Sequence, residues 1–126
     1  MVTELTFTIP NNLFMNANGR EHFFTRSEKT RVLRELACAL ARARKTRIDT
    51  PPPYHVTCTI TLDAARRFDP PNAYPTVKAL IDGLTDAGIW QDDNSDVIKV
   101  MSFQRGQGKA ERGMKEITIT IASIKA

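Results

Sequence analysis

Tyr54-His55-Val56-Thr57-Cys58-Thr59-Ile60-Thr61-Leu62 alternates without a break. Tyr54, Val56, Cys58, Ile60 and Leu62 fall on one side, and His55, Thr57, Thr59 and Thr61 on the other. A period of two is the mark of a strand, and an apolar side against a polar side means that one face is covered. The same pattern recurs outward in both directions. Leu5, Phe7 and Ile9 alternate with Glu4, Thr6 and Thr8 over residues 4–9, and Pro10 with Asn11-Asn12 ends that strand. Residues 97–104 and 115–124 read as two more strands, with Ile117, Ile119 and Ile121 alternating with Thr118 and Thr120.

Between the strands the period lengthens to that of helices. Thr25-x-x-Glu28 matches a capping box, so a helix is expected to begin near Thr25 or Ser27. Val32, Leu33, Leu36, Ala37, Leu40 and Ala41 make its apolar stripe, and Pro51-Pro52-Pro53 forms a rigid break beyond it. A second helix is expected from about Pro75 to Ala87, with Gly88 as its stop and Val77, Leu80, Ile81 and Leu84 as its buried stripe. Residues 11–26 and 63–74 read as polar loops. The Gly-rich segment 106–113 has a length that suits an antiparallel hairpin between the last two strands, with a mobile tip. The order β-α-β-α-β-β predicts an α/β (α+β) fold: a single small domain over residues 1–126, with one mixed sheet packed against two helices. Strand order within the sheet does not follow from these patterns.

A chain of 126 residues, 41% hydrophobic and 25% charged, is long enough to bury a core without staples. Cys38 and Cys58 are too few and too far apart for a disulfide framework or a zinc site, and read as small buried hydrophobes. No apolar run approaches the length of a membrane span, and the alternating N-terminal stretch lacks the basic start of a signal peptide. A cytoplasmic protein is expected by elimination, with no membrane partner. The net charge of +4 and pI near 9.3 permit a polyanionic partner without requiring one. Arg31, Arg34, Arg42, Arg44, Lys45 and Arg47 crowd one stretch, which is either a solvated helix face or a nucleic-acid contact.

The chemically informative segment is Arg66-Arg67-Phe68-Asp69-Pro70-Pro71-Asn72, then the second helix, then Asp92-Asp93-Asn94-Ser95-Asp96. Acidic residues thus lie on the loops at both ends of one helix. Aspartates on loops can supply the hard oxygen ligands that Mg²⁺ prefers, and a nearby Lys or Arg can steady charge developing on a phosphate. By spacing alone, Asp-Pro-Pro-Asn is equally a good turn and Asp-Asp-Asn-Ser-Asp equally a solvated loop.

The run from Arg66 to Asn72, followed by Lys78, Asp82-Gly83-Leu84, Ala87-Gly88-Ile89-Trp90 and Asp92-Asp93, resembles the signature of RusA-type Holliday-junction resolvases. That family carries Asp-x-Asp-Asn, a lysine on a helix, and an Asp-Asp pair after a Gly-aromatic turn. The N-terminal part is similar too: a strand ending in Pro, an Asn-rich loop at Asn16-Ala17-Asn18 with His22, then a helix. The resemblance implies a homodimeric, Mg²⁺-dependent endodeoxyribonuclease, with Mn²⁺ able to substitute, that nicks a four-way DNA junction in paired fashion during recombination and repair. It assigns Asp69 and Asp93 as metal ligands with Asp92 beside them, and Asp69, Lys78 and Asp93 as the catalytic set. Arg66, Arg67 and Asn72, with Lys29, Arg31 and Arg34 of the first helix, become the candidate DNA contacts. Asp82, four residues after Lys78, shares its helix face and can pair with it.

Pro71 stands where the family carries its second aspartate. This departure sets up the alternative: a branched-DNA-binding protein of the same fold with weak or no nuclease activity. A Mg²⁺ nuclease without junction preference and a protein with merely solvated Asp loops are further alternatives. His22 and His55 read as a loop contact and a strand-face polar residue, and Trp90 as packing under a helix end. The glycines at 106, 108 and 113 lack the spacing of a phosphate loop.

Overall fold

The computed structural model describes residues 2–124. Its element order is β1 (Val2–Pro10), α1 (Phe23–Ala43), β2 (Tyr54–Thr61), α2 (Tyr74–Asp86), β3 (Ile98–Arg105) and β4 (Met114–Ser123). Single-turn 3-10 helices at Asn11–Leu13 and Pro70–Ala73 interrupt the two loops that were expected to be irregular. The fold is therefore α+β, one mixed four-stranded sheet with two helices, as the alternation predicts. Residues 1, 125 and 126 of the expected domain lie outside the described residues.

The sheet order is β1-β4-β2-β3. β4 runs antiparallel to both neighbours, whereas β2 and β3 are parallel. This corrects the expected hairpin: β3 and β4 are not paired. A parallel β2-β3 pair needs a crossover, which α2 supplies, and this leaves β3 at the sheet edge. The chain must then pass the end of β2 to enter the slot between β1 and β2. Segment 106–113 makes that passage. Gly106 N donates to Ile60 O at 2.9 Å and Ala110 N to Leu62 O at 2.9 Å. A Cβ on Gly106 would lie 2.1 Å from Thr61 Oγ1, so any other residue here would force the Thr61 side chain to shift.

Register lines up the predicted apolar faces. Leu5, Ile119, Cys58 and Phe103 form one row across the sheet, and Phe7, Ile117 and Ile60 the next. These side chains join Leu33, Ala37 and Ala41 of α1 and Val77, Leu80, Ile81 and Leu84 of α2 in one core. The opposite face carries polar cross-strand pairs, including Thr6–Thr118, Gln104–Thr59 and His55–Ser102.

Two details of α1 depart from expectation. The helix starts at Phe23, capped by His22, whose Nδ1 accepts from Phe24 N at 3.2 Å, so the Thr25-x-x-Glu28 box lies inside the helix and does not cap it. Leu36 is exposed, off the buried stripe of Leu33, Ala37 and Ala41. α2 packs tightly on this stripe: a Cβ on Gly83 would lie 2.2 Å from Arg34 O and 2.7 Å from Ala37 Cβ. Cys58 is buried and its thiol is pushed up to about 12 by burial, as befits a core residue, whereas Cys38 is only half-buried. No helix of the described residues is long and apolar enough to cross a membrane.

Candidate active site

α2 buries Val77, Leu80, Ile81 and Leu84 in the core, so the helical period turns Lys78, Asp82 and Thr85 to another face. Lys78 Nζ donates to Asp82 Oδ1 at 2.8 Å, the i,i+4 pair that the sequence suggested. The start of α2 is tied to the N-terminal loop through buried Thr76, whose Oγ1 donates to Met15 O at 2.9 Å and accepts from Met15 N at 2.7 Å.

Beyond Gly88 the chain turns back and Trp90 anchors it. The indole is buried beside Tyr54, and its Nε1 donates to Thr85 Oγ1 at 2.7 Å. That anchor brings Asp93 onto the exposed face of α2. Asp93 Oδ2 lies 3.5 Å from Lys78 Nζ and 3.3 Å from Thr85 Oγ1. One ammonium therefore faces two carboxylates, Asp82 from its own helix and Asp93 from the following loop. The loop holds its own shape: Asp92 Oδ1 accepts from Asp93 N at 2.7 Å, Asp92 Oδ2 from Asn94 Nδ2 at 3.1 Å, and Asn94 Oδ1 from Asp96 N at 2.9 Å.

The electrostatics follow from this packing. Burial works to raise the Asp93 carboxyl, but hydrogen bonding with Asp82, the Lys78 charge and Thr85 outweigh it and hold the group below its ordinary value. Lys78 is held above the usual lysine value, chiefly by its hydrogen bond to Asp82, with the charges of Asp82 and Asp93 adding to it against partial burial. Each stabilises the charged form of the other.

The other predicted site residues lie elsewhere on the surface or in other bonds. Asp69 is exposed at the N-terminal cap of the Pro70–Ala73 turn and makes no side-chain cap bond there. Asn72 is half-buried and fixes the turn through its backbone, N to Asp69 O at 2.9 Å and O from Ala17 N at 2.8 Å. Among the described residues no three His, Cys, Asp or Glu side chains gather closely enough to hold a metal ion. Lys78, Asp82 and Asp93 are thus brought together, and Asp69 and Asp92 are not bonded to them.

The basic residues divide into two groups. On α1, Lys29 pairs with Glu21, and Arg31 with Glu28 and with Glu35 at 2.9 Å. Arg34 grips Asp86 with two bonds, 2.5 and 2.8 Å, which clamps α1 to the end of α2. By contrast Arg66 and Arg67 are exposed and line a groove of about 500 Å³ together with Asn11, Asn16 and Lys115. The backbone of this loop is held by Arg105, which donates to Arg66 O and, at 3.4 Å, to Ala64 O.

Two contributors escaped sequence reasoning. Thr85 was unremarkable without knowing that Trp90 folds back onto it. Lys115 did leave a signal: it occupies the apolar phase of the 115–124 strand, in step with Ile117, Ile119 and Ile121. Compared with known proteins, the chain matches no family model and no curated protein.

Proposed function

We propose that the chain is a structure-specific endodeoxyribonuclease of the RusA type that resolves four-way DNA junctions by paired nicks, as a homodimer and with Mg²⁺. The observation that carries the proposal is the Lys78 ammonium set against Asp82 and Asp93 at one exposed edge of α2. Carboxylate oxygens beside a lysine are the donor set expected where a phosphodiester is hydrolysed. Carboxylate oxygens are the donor type that a hard divalent cation takes, and Asp93 and Asp82 would hold it, with Asp69 of the Pro70–Ala73 turn as the further acid that the resemblance assigns to the metal. Bound there, Mg²⁺ would supply an acidified water and neutralise charge on the phosphate.

The chain's own residues do the rest. Asp93, kept ionised by its neighbours, is placed to take a cation. Lys78 is charged and half-exposed, so it can reach an incoming phosphate oxygen where negative charge grows during attack. Arg66 and Arg67 meet the backbone of the strand, while Lys29, Arg31 and Arg34, already matched by carboxylates, contribute shape more than charge. A two-fold dimer suits a junction, because both opposing strands must be cut to resolve it.

One observation favours the binding-only alternative. Lys78 bonds both carboxylates, so its ammonium already provides positive charge between them, and Pro71 removes a further ligand. Gel electrophoresis of labelled junction, flap and linear duplex, with Mg²⁺ and with chelator, separates the two. Mg²⁺-dependent cutting of the junction over linear duplex supports resolution, and a shifted but uncut junction supports binding alone.

A further inference from the structure

A lysine pointing into a core is costly, and its environment shows what it is kept for. Lys115 sits opposite Ile9 in the β1–β4 ladder and is only 5% exposed. Burial pushes its ammonium below the usual lysine value, the Arg66 charge acts the same way, and Asp63 acts against both. Its Nζ donates to Asn11 Oδ1 at 3.0 Å and lies 4.8 Å above the centre of the Phe14 ring. Among the described residues no carboxylate comes within ion-pairing distance of it. The nearest acid acting on it, Asp63, is spent elsewhere: its Oδ2 accepts from Gly113 N at 2.9 Å and from Asn11 Nδ2 at 3.2 Å.

Asn11 is therefore the pivot. Its amide nitrogen is held by Asp63, which turns its amide oxygen to Lys115 and fixes the ammonium in place. The ammonium opens onto the groove that Arg66 and Arg67 also line, and Phe14 and Phe68, edge to face with centroids 6.1 Å apart, supply its aromatic lining. Three cations with one committed carboxylate leave an uncompensated positive cleft beside apolar rings. Such a cleft suits a polyanion with flat groups, since phosphates seek the cations and bases can lie against the rings.

We propose that this groove is a second nucleic-acid subsite, which takes a phosphate of an unpaired strand between Lys115 and Arg66 with an adjacent base against Phe14 and Phe68. It rests on nucleic acid being the substrate, but it concerns grip and not cutting. Asp69 follows Phe68 directly in the chain, at the turn that leads into α2.

The test is metal-free binding, which separates it from cleavage. Fluorescence anisotropy of a single-stranded thymidine oligomer of about eight nucleotides is measured against salt in chelator for wild type, Lys115→Met and Arg66→Gln. Each variant is expected to bind about 10-fold more weakly and to lower the slope of log K against log salt by about 0.7, the value of one single-strand phosphate contact. Arg66 is exposed and its carbonyl, not its side chain, holds Arg105, so Arg66→Gln stands as the second variant if Lys115→Met does not fold. Unchanged affinity and unchanged slope in the folded variants would overturn the subsite. Loss of binding in a protein that never cuts DNA would keep the subsite and sink the nuclease.

Discussion

Lys78 and Lys115 are the same side chain in opposite settings. Lys78 is half-exposed between two carboxylates and is held more firmly protonated than usual. Lys115 is buried with an amide oxygen and an aromatic face, and its charge is disfavoured. A lysine matched by acids can stay charged while those acids serve a metal or a proton. One without acids keeps a demand for an anion that the protein itself does not meet. The first setting, on α2, suits chemistry, and the second, on β4, suits grip.

The sharpest way to break the contrast is at the acids. Asp93→Asn removes the carboxylate that the turn at Trp90 delivers to Lys78, and junction cleavage is expected to fall by about 1000-fold, roughly 4 kcal/mol, with binding largely kept. A rate near wild type in a single-turnover assay would remove Asp93 from the site. Second in size is Gly83→Ala. Its new Cβ meets the α1 backbone at 2.2 Å, so the helices must part, and a loss of about 2–3 kcal/mol in denaturant unfolding is expected. Because Lys78 and Asp82 ride on the same helix, cleavage should drop with it.

Lys78→Ala is expected to lower the single-turnover rate about 100-fold, roughly 2.7 kcal/mol, with little change in affinity, whereas Lys115→Met should do the reverse. If both variants lose only affinity, the two lysines are phosphate anchors alike and the contrast fails. The acid side of stability gives a smaller effect. The Asp93 carboxyl is lowered in the fold, so its contribution is present above its unfolded value, near 3.8, and fades as pH falls through the folded one. Lys78 is raised, so its contribution holds below 10.5 and fades as pH rises through its folded value. Asp93→Asn should therefore flatten the loss of stability below about pH 4 in thermal melts, and an unchanged acid limb would show that the cluster holds no folding energy. The smallest effect is expected from Pro71→Asp. Pro71 is exposed in the Pro70–Ala73 turn, and restoring an acid there should lower the Mg²⁺ concentration needed for half-maximal cleavage by a few-fold, provided the turn keeps its path. A folded variant with no change would mean that ligands elsewhere already suffice.

What the sequence disclosed follows the range of its signals. Local periodicity revealed all four strands, because Ile117, Ile119 and Ile121 or Val56, Cys58 and Ile60 need only their neighbours to declare a face. It also revealed the Lys78–Asp82 pair, one helical turn apart. Strand order was silent because pairing β4 between β1 and β2 depends on how segment 106–113 crosses the end of β2, and the clue, Gly106 packed on Thr61, is a tertiary contact. The partners of the α1 arginines show the same division: Glu28 and Glu35 lie within a turn of Arg31 along the helix, whereas Asp86, which answers Arg34, lies on α2. Lys115 was legible and overlooked, being a charge in the apolar phase of a strand.

The most direct test is electrophoresis of a labelled four-way junction with wild type and Asp93→Asn side by side in Mg²⁺. The account predicts that wild type yields nicked linear duplexes, cut symmetrically across the branch, and that Asp93→Asn leaves the junction bound and whole. Equal cutting by both proteins, or an intact junction with wild type even when Mn²⁺ replaces Mg²⁺, would contradict it.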